Sequence, residues 1–137
     1  MEGNKSAVQV AHELWRCFGE RRWDDARKLL ADDFEADWPQ SREKIVGPDN
    51  FIGLNRDYPG VHEIRSIAHQ HSYDCWDHAD HVTTQVSIKS HMPDGKKLDL
   101  FAISFFEIRD DLIFSAVEYW ADTYPAPEWR RKYVERY

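Results

Sequence analysis

Two aspartates lie close to tryptophans in the sequence and are candidates for proton exchange. Asp37 belongs to the phrase Glu35-Ala-Asp-Trp-Pro39, and Asp122 follows Trp120 by two residues. A carboxylate among apolar rings has a raised pKa, because burial disfavours its charged form, and it can then act as a general acid or base near neutral pH. The alternatives are structural: Asp37 would bond a nearby backbone amide, and Asp122 would pair with a helix or with Arg56.

Aromatic residues make up 14% of the chain and include six tryptophans. Large rings suit a pocket for flat, apolar ligands, and simple core packing is the alternative for each ring. The rings expected to line such a pocket are Trp15, Phe34, Trp38, Tyr58, Phe101 and Trp120. Because side chains alternate along a strand, Glu118, Trp120, Asp122 and Tyr124 share one face of the last strand, and we expect all four at the pocket.

The histidines divide into one candidate for chemistry and several that are expected to be solvated. His91 lies on a central strand and is a candidate acid–base partner for either aspartate, with a solvent-facing role as the alternative. The pairs His69-x-His71 and His78-x-x-His81 fall in polar sequence towards a sheet edge. Zinc usually takes three or four nitrogen or sulfur ligands, so we expect no metal here.

Charge and composition exclude several classes of function. With 18 basic and 25 acidic residues the net charge is −7, which argues against a nucleic-acid partner. No apolar run approaches a membrane span of about 20 residues, and the first residues show no signal-peptide core. We therefore expect a cytoplasmic protein without a membrane partner. Cys17 and Cys75 are expected to be free thiols, although their spacing does not exclude a disulfide.

Motifs for nucleotide cofactors are missing. The sequence contains no phosphate loop, no G-x-G-x-x-G and no G-x-S-x-G. We therefore expect neither a cofactor nor serine-hydrolase chemistry.

Helical periodicity dominates the first part of the chain. Apolar residues of Ser6–Glu20 recur at helical spacing, with Ser6 as a possible N-cap. A second helix is predicted at Trp23–Ala31, a short strand at Phe34–Trp38, and a third helix after Gly47 in which proline occupies the first turn.

Alternation with a period of two dominates the second part and predicts four long antiparallel strands. They are expected at Val61–Asp74, Val82–His91, Leu98–Ile108 and Leu112–Tyr124, with hairpins at Asp94-Gly95 and Asp110-Asp111. A short C-terminal helix at Glu128–Tyr137 is expected to turn Trp129 and Tyr133 inward. Helices followed by a meander indicate a single α+β domain, residues 1–137, with helices packed on one face of a sheet.

Two phrases carry a resemblance to a known family. The segments LLADDFEADWPQSREKIVGPDNF and FFEIRDDLIFSAVEYWADTYPAPEWR resemble nuclear-transport-factor-2-like proteins, and the second resembles SnoaL-like domains in particular. The resemblance implies a cone-shaped, cystatin-like fold in which helices pack on a curved, mostly antiparallel sheet and leave a conical cavity. It also implies a homodimer through the opposite sheet face.

The resemblance bears on chemistry residue by residue. Asp37 is similar to the aspartate in the E-D-P phrase of ketosteroid isomerases, and Asp122 is similar to the acid–base aspartate of SnoaL-like polyketide cyclases. The oxyanion donors of the isomerases are missing, because their positions fall on Leu14 or Trp15 and near Ala102. A true ketosteroid isomerase is therefore not expected.

Two classes of function stay open. The first is a pocket protein that binds a small hydrophobic or cyclic molecule and acts on it as a cofactor-free acid–base enzyme of isomerase, cyclase, dehydratase or hydrolase type. The second is a non-catalytic ligand-binding or dimerisation module. They differ in whether a desolvated carboxylate faces the cavity.

Overall fold

The computed structural model describes residues 6–71 and 79–137. Cys75 and His78, which the sequence analysis considered, lie outside these residues, as does the end of the strand predicted at Val61–Asp74. The described elements are α1 (Ala7–Gly19), α2 (Trp23–Arg27), β1 (Leu30–Trp38), β2 (Glu43–Val46), α3 (Pro48–Asp57), β3 (Val61–His71), β4 (Asp80–His91), β5 (Lys97–Arg109), β6 (Leu112–Asp122) and a C-terminal 3₁₀ helix (Glu128–Tyr133).

The six strands form one sheet in the order β2-β1-β6-β5-β4-β3. β3 to β6 pair antiparallel in sequence order, which is the predicted meander. β1 runs parallel to β6 and antiparallel to β2. The α+β class and the mostly antiparallel sheet are thus confirmed. At the β5–β6 hairpin, Asp110 and Asp111 both take positive φ, 54° and 61°, which matches the right-handed twist of the strands.

The first helix begins at a capping box. The Ser6 hydroxyl accepts a hydrogen bond from the Gln9 backbone N–H, and the Gln9 side-chain oxygen accepts one from the Ser6 backbone N–H, so two otherwise unpaired backbone donors are satisfied. Val10, Leu14 and Phe18 then follow at helical spacing and are buried against the sheet. The predicted first helix is confirmed, and it packs on β3 and β4.

Alternation divides the sheet into an inner face, covered by the helices, and an outer face. Residues 82, 84, 86 and 88 of β4 and 102, 104, 106 and 108 of β5 are buried on the inner face. The residues between them on β5 point outwards, and Phe101, Ile103 and Phe105 remain about half exposed. A residue's position in the alternation therefore decides whether it can reach the interior.

Two predicted elements differ from the structure. α2 ends at Arg27 instead of Ala31, because β1 already begins at Leu30 and the following backbone joins the sheet. The C-terminal helix is of the 3₁₀ type, and Trp129 and Tyr133 are 73% and 72% exposed, so the prediction that they turn inward is wrong. With three residues per turn, side chains four apart do not share a face. Among the described residues, no helix has the length and apolar character needed to cross a membrane.

Candidate functional site

A small cavity lies between the helices and the inner face of the sheet. Its volume is about 40 Å³, which is room for about three water molecules. Aromatic rings form most of its wall, with Asn55, His62 and Ser90 as the polar members. The described lining residues are Trp15, Phe18, Trp23, Asn55, Tyr58, His62, Ile64, Ile88, Ser90, Leu100 and Trp120.

One wall is fixed by a hydrogen bond between α1 and the sheet. The indole Nε1–H of Trp15 donates to the hydroxyl of Thr84 at 3.0 Å, and both residues are buried. The Trp15 ring meets Phe18 edge to face at 5.7 Å, and Phe18 in turn contacts Trp23 at 5.7 Å. Because the indole N–H is satisfied inside the core, this wall is held in one arrangement.

Trp120 forms the opposite wall, and Trp38 packs against the side of its ring that faces away from the cavity. Trp38 meets its ring edge to face at 5.7 Å. The Nε1–H of Trp38 donates to one oxygen of Glu118 at 3.0 Å, and the Ser104 hydroxyl lies 2.5 Å from the other oxygen. Glu118 is 1% exposed and does not line the cavity. Glu118 therefore holds Trp38 in position, and Trp38 in turn packs against Trp120 in the cavity wall.

Burial raises the pKa of the Glu118 carboxyl. The hydrogen bonds with Ser104 and Trp38 act in the opposite direction, because they stabilise the charged form, but burial is the larger cause. The carboxyl is thus biased towards its neutral, protonated form.

His62 is the cavity's basic group. Its Nδ1 lies 2.7 Å from the Ser90 hydroxyl. Burial lowers the pKa of the imidazole, the nearby charge of Arg21 lowers it further, and the Tyr58 backbone carbonyl acts in the opposite direction. A neutral imidazole is therefore favoured at neutral pH.

Two polar atoms of the cavity wall are buried and have no hydrogen-bond partner among residues 6–71 and 79–137. They are Nε2 of His62 and Nε1 of Trp120. The Tyr58 carbonyl, which influences the His62 pKa, makes no hydrogen bond of adequate geometry with Nε2. Buried polar groups are nearly always hydrogen-bonded in folded proteins, so two unpaired nitrogen atoms beside one cavity indicate a place where a ligand could form hydrogen bonds.

The structure brings together some of the rings singled out in the sequence. Trp15, Tyr58 and Trp120 line the cavity, and Trp38 packs behind Trp120. Phe34 lies away from the cavity in the core, where its ring contacts Phe51 at 4.8 Å.

The two aspartates lie away from the cavity. Asp37 pairs across the sheet with Lys44 and Val117, on the face opposite its neighbour Trp38. Asp122 is on the face of Trp120 but is exposed at the end of β6. The expectation that a desolvated aspartate faces the cavity therefore has no support in this geometry.

The remaining predicted site residues are also outside the cavity. Phe101 projects from the outer face and is 50% exposed, because its neighbour Ala102 occupies the inner position. His91, at the end of β4, and Tyr124, beyond the end of β6, are both exposed.

The most informative residue missed by sequence reasoning is His62. It follows the Tyr58-Pro-Gly60 turn and alternates with Ile64, Ser66 and Ala68 on the inner face of β3. The same alternation can be read from the sequence, but β3 carries polar residues on both faces, so the pattern does not indicate which face is the inner one.

An open groove adjoins the cavity between α1 and β3. Its volume is about 1100 Å³, and it shares Trp15, His62 and Ile64 with the cavity. Most of its other lining residues are polar, and His12 Nδ1 lies 2.9 Å from the Ser66 hydroxyl. Within residues 6–71 and 79–137, no three His, Cys, Asp or Glu side chains are grouped so as to hold a metal ion.

Residues 11–116 match the model of the SnoaL-like domain family, so the chain belongs to that family. Similar solved structures include a candidate ketosteroid isomerase from Kribbella flavida (24% identity, TM-score 0.71, covering 95% of this chain and 88% of that one). They also include an LEH-like epoxide hydrolase from M. tuberculosis (14%, 0.66, 84% and 82%) and a candidate SnoaL-like polyketide cyclase from Jannaschia (14%, 0.66, 87% and 91%).

These likenesses show that the fold is the nuclear-transport-factor-2-like one, as the sequence predicted. At identities below 25% they establish the fold alone. No curated protein sequence matches the chain.

Replacing Glu118 by glutamine tests the buried acid. Glutamine keeps the shape and both hydrogen bonds of the protonated side chain. In the wild type, the unfolded state releases a proton above the ordinary glutamate pKa of 4.5 while the folded state retains it, so stability falls as pH rises towards the raised pKa. Between pH 4.5 and the raised pKa, the free energy of unfolding of the wild type should fall by about 1.4 kcal/mol per pH unit. We expect this fall to be absent in Glu118→Gln.

The measurement is the free energy of unfolding by urea from pH 4 to 8. The control is Glu43→Gln, an exposed carboxyl on β2, whose curve should run parallel to that of the wild type. A Glu118→Gln curve that also runs parallel to the wild type would show that Glu118 is charged in the folded protein.

Proposed function

We propose that this SnoaL-like domain binds a small hydrophobic or cyclic molecule in the cavity bounded by Trp15, Tyr58 and Trp120. The observation that carries the proposal is the composition of the wall, in which five large rings and three aliphatic residues surround a few polar groups. That combination is typical of small-molecule sites, where apolar contacts supply affinity and a few polar groups set orientation.

The size of the cavity limits the ligand. Drug-sized ligands occupy pockets of about 300–1,000 Å³. At about 40 Å³ the cavity is far smaller, so even a ligand with one ring would require a wall residue to move. The adjoining groove shares His62 and Ile64 with the cavity.

The wall favours binding over acid–base catalysis by an aspartate. Among the described lining residues no carboxylate is present, and the groups that can titrate are His62 and Tyr58. The described lining of this cavity therefore contains no aspartate that could perform the isomerase, epoxide hydrolase or cyclase activities named for similar structures. The same geometry supports a second candidate function, in which the neutral imidazole of His62 accepts a proton from a bound substrate.

Filling the cavity tests the binding proposal. We expect Leu100→Trp to occupy the space between Ile88 and Trp120 and to abolish ligand-induced stabilisation. A ligand at 100 times its dissociation constant raises the free energy of unfolding by about 2.7 kcal/mol. The measurement is a thermal-shift screen of apolar one-ring and two-ring compounds.

Leu112→Trp, at the far end of β6, is the matched control and should respond to ligands as the wild type does. Equal stabilisation of all three proteins would place the binding site elsewhere. The absence of any stabilising compound for the wild type would contradict the proposed function.

The catalytic candidate has its own test. If turnover of a bound compound is found, we expect His62→Gln to reduce kcat by at least 100-fold, in the range of general acid–base contributions. Asp37→Asn and Asp122→Asn should retain kcat, because neither side chain reaches the cavity. A loss of kcat in Asp37→Asn or Asp122→Asn, with kcat retained in His62→Gln, would show that an aspartate transfers the proton instead.

A homodimer through the outer sheet face is also proposed. Phe101, Ile103, Phe105 and Tyr119 lie side by side on β5 and β6, each 40–50% exposed, and the Phe105 and Tyr119 rings meet at 6.3 Å. A contiguous apolar patch of this kind marks an interaction surface. The expected partner is a second copy, since the two central strands would then be covered symmetrically.

Placing a charge in the centre of this patch tests the dimer. We expect Ile103→Asp to yield a monomer in sedimentation velocity at concentrations where the wild type is dimeric, because an unpaired carboxylate would be buried in the interface. The control is Val134→Asp, at a similarly exposed residue outside the sheet, which should remain dimeric. A monomeric wild type would contradict the proposal.

A further inference from the structure

We infer that Tyr58 is a gate over the cavity, and that the ligand it admits is a neutral single-ring compound that carries a carbonyl and a hydroxyl group. The inference rests on the proposed binding function and specifies its ligand. It is carried by the position of one ring over two residues whose polar atoms lack partners.

The Tyr58 ring lies against both of these residues. It is nearly parallel to the Trp120 ring, at 15° and 6.4 Å between centroids, and it meets the His62 ring edge to face at 5.8 Å. His62 Nε2 and Trp120 Nε1 are both buried in this arrangement. The closed position of Tyr58 therefore coincides with the desolvation of two hydrogen-bonding atoms.

The backbone around Tyr58 allows its ring to move more easily than the other walls. Tyr58 is the residue that ends α3, and it is followed by Pro59 and by Gly60, which has a φ of +100°. Its side chain is 42% exposed, and no hydrogen bond of its hydroxyl group is found among the described residues. Trp15, by contrast, is buried and bonded to Thr84. Helix ends and adjacent turns open at a lower free energy than packed strands.

Leaving the two atoms unpaired destabilises the closed arrangement. Each buried polar group without a partner loses its hydration and gains no hydrogen bond in return. A ligand that takes the place of the Tyr58 ring and bonds to both atoms would remove that cost, while its own ring would restore the contact with Trp120. The closed cavity thus favours replacement of the Tyr58 ring by the ring of a ligand.

The two atoms define the ligand's polar groups. The indole N–H of Trp120 can only donate, so it requires an acceptor such as a carbonyl oxygen. Nε2 of His62 donates or accepts according to the tautomer that Ser90 stabilises through Nδ1. A hydroxyl group suits both tautomers, because it can do either. The volume of the cavity, together with the space that the Tyr58 ring leaves, corresponds to one ring.

The ligand class is tested with four related probes: 3-hydroxyacetophenone and 4-hydroxyacetophenone, acetophenone without the hydroxyl, and ethylbenzene with neither group. We expect at least one hydroxyacetophenone to bind about tenfold more tightly than acetophenone, and acetophenone more tightly than ethylbenzene, by titration of tryptophan fluorescence or NMR shifts. In Trp120→Phe, which keeps an aromatic wall but loses the donor, acetophenone and ethylbenzene should bind equally. Equal affinities of all four probes for the wild type would overturn the ligand class.

The gate is tested by the rate of binding. Tyr58→Ala should raise the association rate constant of the tightest probe at least fivefold in stopped-flow fluorescence and leave its dissociation rate constant near the wild-type value, because the ring no longer has to leave the place that the probe takes. Tyr58→Phe should bind at the wild-type rates, since it retains the ring. Tyr119→Ala, which removes a tyrosine 40% exposed on the outer face, is the control. Thermal unfolding followed by circular dichroism establishes that each variant is folded. Unchanged rates in a folded Tyr58→Ala would overturn the gate.

Failure of this inference can be distinguished from failure of the proposed function. If apolar rings without polar groups stabilise the wild type and not Leu100→Trp, while the hydroxyacetophenones bind no better, the cavity binds ligands but the inferred class is wrong. If no ring compound binds either the wild type or Tyr58→Ala, both are wrong.

Discussion

The buried carboxyl group of Glu118 links three strands of the sheet, and the position of the cavity wall formed by Trp120 depends on its hydrogen bonds. Its two oxygens bond to Trp38 on β1 and to Ser104 on β5, while its own backbone belongs to β6. Burying a carboxyl group is unfavourable unless its hydrogen bonds are satisfied and its charge is lost. Each oxygen has a hydrogen-bond partner here, and burial raises the pKa of the carboxyl, which favours the uncharged form. The bonded Trp38 then holds Trp120 edge to face, so a polar contact in the core determines the position of an aromatic wall.

The walls of the cavity differ in how firmly they are held. Trp15 is bonded to Thr84, and Trp120 is supported by Trp38, so both are fixed to the sheet. Tyr58 has ring contacts alone and lies at a helix end next to a turn. A cavity with two fixed walls and one weakly held wall keeps its shape while it still allows entry. This combination is what a binding site needs, because preorganised walls reduce the cost of ordering upon binding.

Sequence reasoning predicted the elements except β2 and misplaced part of the site. Alternation along the strands explains the misplaced residues. In the strand containing Asp37 and Trp38, adjacent side chains must point to opposite faces, so the two could not both reach the cavity. The family resemblance favoured Asp37, whereas the structure turns Trp38 inward. β5 posed a different problem, because it is apolar on both faces. Large residues occur on both faces: Phe101 and Phe105 lie outside, whereas Phe106 lies inside with the smaller Ala102 and Ser104. Residue size therefore does not indicate which face of β5 is the inner one.

His62 could not be chosen from the sequence because its significance comes from burial and not from its neighbours in the chain. Burial acts on the two pKa values in opposite directions: it lowers the pKa of the His62 imidazole and raises the pKa of the Glu118 carboxyl, so both shifts favour the neutral form. The chain carries a net charge of −7 at pH 7, yet the described walls of the cavity contain no aspartate, glutamate, lysine or arginine. An ionic ligand would lose its hydration there without gaining an opposite charge, whereas a neutral polar ring would lose little and could bond to the two unpaired nitrogens. The electrostatics of the cavity therefore select for neutral molecules.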